Sequence, residues 1–538
     1  MTQGGGLLQL VAIGKQDVFL TGNPSVTWFK HVYRRYTNFA IESQQMYIQG
    51  TPAFGQKITC LVPRNGDLLS SVFLKVTLPK LYYTPNSFTP AKSNVPAGYI
   101  NSPGHYLIQE ISVQIGEQEI DKQTGQYMEI WNALTVDASQ QSGFQQMVGQ
   151  KPGYPFIDTG NNAFDLSGTN QTLPKWTYSQ EGGNVNVDIS GIAVSGSTVS
   201  PLKPDPTALN PTGSYIPSGT NTMYPRQYDE PILGPQVLYI PLRFWFNKNP
   251  GLALPLLAMQ YHPVRINITL APLQDMWYNK KLYDAENSSS GTPQCNAGMT
   301  VEAASPLGLE LWGDYVYLDT PERRRFVSAP LEYLIEQVQY TPPLAIPANS
   351  RTATLKLDFN HPIKEFLWVL QRNVMQSRHE FFNWSSLGFY EIQKKAEWAY
   401  ATAGLTNKQK YDLALATQPP NRTDLMVAAK FQLDGQDRFD ARDPKYFRLV
   451  QPFQRHTTIP SDRYIYVYSF ALRPEEEQPS GTLNASRIDN LVLQIDLQEP
   501  ASTYCTSAIF GDMSAYVYAR NYNVLRVIDG YAGLLFSV

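Results

Sequence analysis

The sequence contains little cysteine and no long apolar run. Its 3 cysteines, Cys60, Cys295 and Cys505, are far apart and form no C-x-x-C pair. This excludes a readable disulfide framework or zinc motif and is typical of a reducing compartment. The most apolar stretch, residues 252–259, contains a proline and is much shorter than the roughly 20 residues of a transmembrane helix. Residues 1–10 lack the basic and apolar regions of a secretory signal. We therefore expect a soluble protein that is made in the cytosol.

Charged residues are also scarce. They make up 17% of the chain, against about 25% in typical soluble domains, and 43 Lys and Arg nearly balance 46 Asp and Glu. This balance argues against a dedicated nucleic-acid-binding protein, which normally has a concentrated basic surface. The chain is instead rich in aromatic residues (12%, including 33 Tyr), and 40 Pro and 36 Gly supply turns. Such a composition favours an all-β protein with large interaction surfaces.

The sequence contains no motif for catalysis or cofactor binding. The 6 histidines are never closer than 18 residues, so there is no H-x-x-x-H pair, and Gly14-Lys15 lacks the rest of a phosphate loop. No G-x-S-x-G nucleophile elbow occurs. Carboxylates that are distant in sequence could still meet in space, as in a glycosidase built on a sandwich. We predict that the protein is not an enzyme and has no catalytic residue, metal site or cofactor.

One acidic cluster is spaced regularly enough to be compared with a metal site. It consists of Asp434, Asp437, Asp440 and Asp443, at every third position. The spacing does not fit the D-x-[DN]-x-[DN]-G pattern of a calcium loop, and calcium needs about six to eight oxygen ligands gathered tightly. We therefore interpret the segment as a solvated hairpin.

Strand-like segments recur along the whole chain, separated by turns rich in Pro, Gly, Asn and Ser. The clearest are residues 68–79, 110–115, 239–246, 264–270, 332–340, 354–359, 366–371, 464–472 and 491–497. Helical patterns are few and short, with residues 125–135 and 406–417 as the best candidates.

The second half of the chain repeats the first. Four blocks match in the same order: residues 39–45 with 333–339, 116–130 with 435–449, 239–240 with 464–465, and 315–317 with 516–518. Only the spacing between the blocks changes, which places insertions at about 136–236 and 279–304 in the first half and about 391–425 in the second. The pattern predicts a duplicated domain.

These features predict an all-β fold of two tandem eight-stranded jelly-roll sandwiches, a double jelly roll, with long inserted loops and few short helices. The pattern alone leaves immunoglobulin-like and lectin-like sandwiches open. The predicted domains are an extended N-terminal arm at residues 1–26, a first jelly roll at 27–325 and a second at 326–538.

Several long blocks carry a family resemblance. The opening block runs from GGLLQLVAIGKQD at 5–17 through LTGNP at 20–24 and WFK at 28–30 to VYRRYTNFA at 32–40. Further blocks are RNGD at 64–67, NPGLALPL at 249–256, DTPERRRF at 319–326 and FNHP at 359–362. The sequence closely resembles the major capsid proteins of nucleocytoplasmic large DNA viruses of the algal and amoebal giant-virus type, over nearly its whole length. The large first-half insertion departs from the compact pattern of that family.

The resemblance implies a viral structural protein of the capsid shell. Three chains would form a homotrimeric capsomer of pseudo-hexagonal outline, since two similar domains in each of three chains give six similar corners. Capsomers would tile an icosahedral virion shell over an internal membrane. The implied partners are further copies, neighbouring capsomers, minor capsid and penton proteins and the internal viral membrane, with no direct nucleic-acid contact. Synthesis and assembly in the host cytoplasm, late in infection, are implied as well.

Basic residues are the candidate contacts for assembly. Lys15, Lys30, Arg34 and Arg35 could face an anionic membrane at the inner base of the capsid, or pair within the trimer. Arg323, Arg324 and Arg325 lie at the predicted junction of the halves, where interdomain or intersubunit ion pairs are favoured over DNA contact.

Glycosylation sites are a separate prediction. Asn170, Asn287 and Asn421 are candidates among six N-x-[ST] sequons, whereas Asn267 lies in a predicted strand and is expected to be unavailable.

Two other functions remain open at this point. One is a transient membrane-shaping scaffold of similar fold, as in poxviruses, which would be absent from mature virions. The other is a carbohydrate-binding or carbohydrate-cleaving β-sandwich protein, which would be a monomer stabilised by sugars.

Overall fold

The structure is a computed structural model. It describes residues 4–24, 33, 35–83, 97–150, 176–180, 183–187, 236–279, 301–303, 305–347, 350–386, 424–460, 463–497 and 512–536. The chain divides into two compact units, Met1–Ala40 and Ile41–Val538. Most of the three predicted insertions, and the predicted helix at 406–417, lie outside the described residues.

Strands dominate the described part of the chain. In chain order they are β1 (Phe39–Met46), β2 (Ile48–Gln49), β3 (Lys57–Leu61), β4 (Leu68–Leu78), β5 (Leu81–Tyr83), β6 (Ala97–Tyr99), β7 (Ile108–Ile115), β8 (Gln118–Thr124), β9 (Trp176–Gln180), β10 (Gly183–Val187), β11 (Gln236–Pro241), β12 (Val264–Leu270), β13 (Trp277–Asn279), β14 (Val301–Ala303), β15 (Gly308–Leu318), β16 (Leu331–Tyr340), β17 (Leu344–Ile346), β18 (Thr352–Lys356), β19 (Pro362–Arg372), β20 (Met426–Leu433), β21 (Gln436–Asp437), β22 (Tyr466–Ser469), β23 (Leu483–Asn484), β24 (Leu491–Leu497), β25 (Met513–Ile528) and β26 (Tyr531–Leu534).

Helices are short. They are α1 (Gly5–Val11), α2 (Asp17–Thr21), α3 (Pro103–Leu107), α4 (Gly125–Thr135), α5 (Ala138–Val148), α6 (Trp245–Lys248), α7 (Thr320–Ser328), α8 (Asn373–Ser377) and α9 (Gln451–Arg455), with 3-10 turns at Pro250–Leu252, Leu256–Ala258, Leu273–Met276 and Ala485–Arg487 and a π turn at Tyr446–Val450. In the part of the chain that the structure describes, none of them is long and apolar enough to span a membrane.

The first sandwich consists of two facing sheets. One sheet has the strand order β1-β15-β4-β11, and the other contains β3-β12-β7-β8 with β2 added beside β3. Side chains alternate between core and surface along the strands, as in Val264–Leu270 of β12, where every second residue is buried. Ile111, Val113, Ile266 and Leu74 belong to one apolar core between the sheets.

The second sandwich repeats this topology. Its sheets have the orders β16-β25-β19-β22 and β18-β24-β20-β21. If the eight main strands of each sandwich are numbered along the chain, both sandwiches read 1-8-3-6 and 2-7-4-5, which is the jelly-roll order. The all-β double jelly roll predicted from the sequence is therefore confirmed.

The matched sequence blocks occupy equivalent places in the two sandwiches. Residues 39–45 lie in β1 and residues 333–339 in β16, the first strand of each half, while 315–317 and 516–518 lie in the last strands, β15 and β25. Gly116 and Gly435 both sit in hairpin turns with positive φ angles of 61° and 82°. The repeat is therefore a structural duplication.

Several local predictions differ from the structure. The strand predicted at 239–246 stops at Pro241, and Trp245–Lys248 form α6, where the Asn247 side-chain amide turns back and donates to the Leu242 carbonyl at 3.0 Å. Helix α5 falls inside the predicted first-half insertion. Helix α7 lies between the last strand of the first sandwich and the first strand of the second, and the domain boundary after residue 325 stays a prediction.

Two other expectations can be compared directly. The helix predicted at 125–135 is α4, whose first turn is capped by Thr124, since its Oγ1 accepts a 3.1 Å hydrogen bond from the Tyr127 N–H. The aspartate cluster lies on the β20–β21 hairpin and the loop after it, where Asp434 turns with a φ of 50° and Asp437 pairs with Lys430 at 2.9 Å.

The unit Met1–Ala40 contains α1 and α2 where an extended arm was expected. Leu7, Leu8 and Leu10 are strong helix formers, and Asp17 provides an acidic first turn for α2. Neither helix buries a residue, so this segment contributes nothing to a hydrophobic core.

Candidate assembly site

The two sandwiches exchange side chains where they meet, a contact that we call the seam. Helix α4 belongs to the first half in sequence, but its Ile130, Trp131 and Leu134 pack in the second core. In return, Ile335 of β16 and Leu525 of β25 pack in the first core. Each sandwich is thus completed by residues of the other, which fixes their relative orientation.

Hydrogen bonds along β16 continue the seam. The Val338 N–H donates to Asp121 Oδ1 at 3.0 Å, the Gln337 amide donates to the carbonyl of Ile120, and the Tyr340 hydroxyl donates to Glu110 Oε2 at 3.0 Å. Asp121 is buried, and burial raises the pKa of its carboxyl to about 6 although the Val338 N–H and the Gln123 amide partly offset the shift. The outer edge of β16 is therefore covered by the first sandwich.

A group of charges with Lys364, Glu365 and Arg520 at its buried centre, which we call the seam charge cluster, lies beside these hydrogen bonds. Its members are Lys248, Glu336, Lys364, Glu365, His456, Glu475 and Arg520. Arg520 Nη1 lies 2.7 Å from Glu365 Oε1, its direct partner in the β19–β25 register, and Arg520 also pairs with Glu336. Glu336 in turn accepts from Lys364 Nζ at 2.6 Å and from Lys248 Nζ at 3.3 Å, so one carboxylate joins both halves of the chain.

His456 extends the cluster towards the loop that contains Glu475. Its Nε2 lies 3.1 Å from Glu365 Oε2, and its Nδ1 lies 2.9 Å from Glu475 Oε1. Burial alone would lower the pKa of His456, but the two carboxylates raise it to about 9. Burial alone would raise the pKa of Glu365, but His456 and Arg520 lower it to about 2. The imidazole is therefore charged at neutral pH and held between two carboxylates.

A second buried acid, Glu129 of α4, joins the halves on the other side of the helix. It pairs with His105 of α3 and with Arg463 of the second half, and it accepts a 3.1 Å hydrogen bond from the Ser102 hydroxyl. Burial would raise the pKa of Glu129, but Arg463 and His105 hold it well below the usual range. Removing one partner of such a buried pair typically costs about 3–5 kcal/mol.

This arrangement is suited to mechanical rigidity. Its carboxylates are paired with cations, so the ions hold strands together. Among the residues that the structure describes, no group of three or more His, Cys, Asp or Glu side chains could hold a metal ion. One local signal of the cluster is present in the sequence: the adjacent charges Lys364 and Glu365 in β19, directly before the apolar residues 366–370.

The residues predicted to take part in assembly are dispersed. Lys15 and Arg35 are exposed in the unit Met1–Ala40, whereas Lys30 and Arg34 lie outside the described residues, as do Asn170, Asn287 and Asn421. On α7, Arg323 Nε lies 2.8 Å from Asp67 Oδ2, and Arg324 and Arg325 are exposed. Asn267 lies in β12 and accepts from the Thr59 hydroxyl at 2.8 Å.

Exposed apolar side chains are a feature that the sequence analysis did not locate. On the unit Ile41–Val538 they include Ile41 (59% exposed), Leu472 (62%) and Phe453 (74%). Phe19 and Leu20 are more than 80% exposed in the other unit. Exposed apolar groups that cluster on a soluble chain mark interaction surfaces.

A jelly roll repeated in tandem within one chain is the architecture of double jelly-roll capsid proteins. Comparison with known proteins agrees with this class of protein. The model "Major capsid protein N-terminus" matches residues 27–319, and "Large eukaryotic DNA virus major capsid protein" matches residues 322–533. The chain therefore belongs to the family of major capsid proteins of large eukaryotic DNA viruses.

Individual relatives cover nearly the whole chain. The major capsid protein of Chrysochromulina ericina virus is 34% identical over 99% of this chain and 100% of its own length. A chain of the quasi-atomic model of the PBCV-1 virus capsid has a TM-score of 0.59 at 27% identity, covering 95% of this chain and all of its own. The Faustovirus major capsid protein shares the fold, with a TM-score of 0.61 at 13% identity over 96% and 94% of the two chains. The family, the fold and the capsid role predicted from the sequence are confirmed.

Proposed function

We propose that three copies of this chain form a capsomer of pseudo-hexagonal outline, and that such capsomers tile an icosahedral shell. The observation that carries the proposal is the identical strand order of the two sandwiches, which the seam holds rigidly together. Three such chains present six similar lobes. A head-to-tail contact repeated three times closes into a ring of this shape.

The other proposed partners follow from the position of such a capsomer in a capsid shell. Neighbouring capsomers, minor capsid proteins and penton proteins would contact its perimeter, and an internal viral membrane would lie beneath its base. Lys15, Lys30, Arg34 and Arg35 are the candidate contacts with that membrane, at about 1 kcal/mol for each basic residue near an anionic surface. The protein would act without enzymatic activity and without touching nucleic acid, and it would be made and assembled in the host cytoplasm.

The experiment is the native mass of the purified full-length chain, measured by light scattering coupled to gel filtration and followed by electron microscopy of single particles. A species of three times 60.6 kDa with a six-lobed outline would support the capsomer. A monomer at all concentrations would refute it. Presence of the chain in purified mature virions would separate a permanent shell protein from a transient scaffold.

A further inference from the structure

The internal repeat relates the seam within the chain to two surfaces that are exposed. The spacing of 319 residues that relates Gly116 to Gly435 also relates Trp131 to Val450 and Leu134 to Phe453. Trp131 and Leu134 are buried in the seam, at 7% and 0% exposure, whereas Val450 and Phe453 are 40% and 74% exposed. Helix α4 and the helical segment of the π turn and α9 are thus equivalent elements, and the face that is covered on α4 is exposed at Val450 and Phe453 of the second segment.

The other side of the seam has an exposed counterpart too. Ile335 and Glu336 of β16 correspond to Ile41 and Glu42 of β1. Ile335 is fully buried against the first sandwich, but Ile41 is 59% exposed. The edge that β16 offers to the first sandwich is therefore repeated on β1, where Ile41 is exposed in the part of the chain that the structure describes.

Charge is complementary between these counterparts. Lys248 pairs with Glu336 across the seam, and the spacing of 225 residues that relates Tyr239 to Tyr464 relates Lys248 to Arg473. The Arg473 side chain is 72% exposed and contacts Glu476 at the surface. Among the described residues Glu42 forms no ion pair, and it accepts only a 3.3 Å hydrogen bond from the Tyr317 hydroxyl.

We propose that the surface of Val450, Phe453, Leu472 and Arg473 docks on the β1 edge of a second copy of this chain, at Ile41 and Glu42. The contact reproduces the seam between two chains, with Arg473 facing Glu42 as Lys248 faces Glu336. Because each chain carries both surfaces and they differ, the contact is head-to-tail, and in the proposed trimer three such contacts close the ring. The inference rests on the proposed trimer and specifies which residues form it.

The test uses two full-length variants, Ile41→Asp and Phe453→Asp, each of which damages one surface at an exposed position. Each variant alone should be folded and monomeric by light scattering and circular dichroism. Mixed in equal amounts, they share one intact pair of surfaces and should form a species of two chains, but no trimer. Tyr261→Asp, at an apolar position that is 64% exposed outside both surfaces, is the control and should stay trimeric.

A charge exchange tests the register of the contact. Glu42→Arg or Arg473→Glu alone should raise the concentration at which the trimer dissociates by about tenfold or more, and the double variant should restore it. If one aspartate variant misfolds, the charge exchange decides the question. A trimeric wild type whose Ile41→Asp and Phe453→Asp variants remain trimeric would overturn this contact but leave the trimer intact. A monomeric wild type would overturn both.

Discussion

Replacing His456 should change how the stability of the fold depends on pH. The imidazole lies between Glu365 and Glu475, and its edge meets the ring of Trp131 with the centroids 6.2 Å apart. Its pKa rises from 6.5 to about 9 because the two carboxylates outweigh the effect of burial. Between these pH values the folded chain binds a proton at His456 that the unfolded chain does not bind.

The sign and size of the effect follow from this difference. The stabilisation is complete below pH 6.5 and is lost as the pH rises to about 9. At about 1.4 kcal/mol for each pKa unit, the loss is about 3 kcal/mol. Lys364 acts in the opposite direction, because burial lowers its pKa from 10.5 to about 8 and stability then rises with pH above 8. The net fall is therefore clearest between pH 6.5 and 8, at about 2 kcal/mol.

Urea denaturation at one protein concentration measures this slope for the wild type and the His456→Gln variant. His361→Asn is the matched control, because burial lowers the pKa of His361, so folding gives this imidazole no additional proton. The wild type and the control should each lose about 2 kcal/mol between pH 6.5 and 8, while the His456→Gln variant should lose little. A His456→Gln variant with the wild-type slope would refute the assignment of a charged imidazole to the seam.

Three further changes test the seam and the basic residues of the unit Met1–Ala40. Glu365→Gln removes the partner of two buried cations and should lower the free energy of unfolding by about 3–5 kcal/mol in urea denaturation; a loss below about 1 kcal/mol would contradict the pairing. Asp121→Asn should raise stability at pH 7.5, by at most about 3 kcal/mol, because the pKa of about 6 shows that burial of the ionised carboxylate is unfavourable above that pH. The gain should vanish below pH 4, and a variant equally stabilised at both pH values would argue against it. The double change Lys15→Glu and Arg35→Glu should weaken sedimentation with anionic vesicles about tenfold or more without affecting neutral vesicles. Unchanged binding would assign these exposed charges to another role.

Much of the fold could be predicted from the sequence because the pattern of each strand is visible within the strand itself. Burial on one face of a strand gives alternation, and the strands predicted at 264–270 and 491–497 have the bounds that the structure shows. The duplication was detectable because a chain can be compared with itself without knowledge of its contacts. Glu42 and Glu336 matched although one is exposed and the other lies in the seam.

The seam could not be predicted in this way. Glu336, Glu365 and Arg520 come from three strands that are distant in sequence, and no local periodicity records that they meet. The ion pairs of these residues depend on which faces of the two sandwiches are in contact. The sequence of a single strand does not indicate which faces those are. The exposed helices of the N-terminal unit were not predicted either, because α1 begins at two glycines, which disfavour a helix, although Leu7 and Leu8 favour one.

The charges of the duplicated surfaces explain why one contact forms within the chain and the other between chains. Glu336 and Arg520 neutralise each other in the seam, but their counterparts in the first half are two acids, Glu42 and Asp319. Ions that are buried during folding are paired within the chain and stay neutralised. A surface that binds another chain is exposed to water before assembly, so it must remain soluble until it is covered. Glu42, which forms no ion pair among the described residues, keeps the β1 edge hydrated and leaves its neutralisation to a cation from the neighbouring chain. The contact between chains should therefore weaken with rising salt, while the seam, whose ions are shielded from solvent, should respond much less.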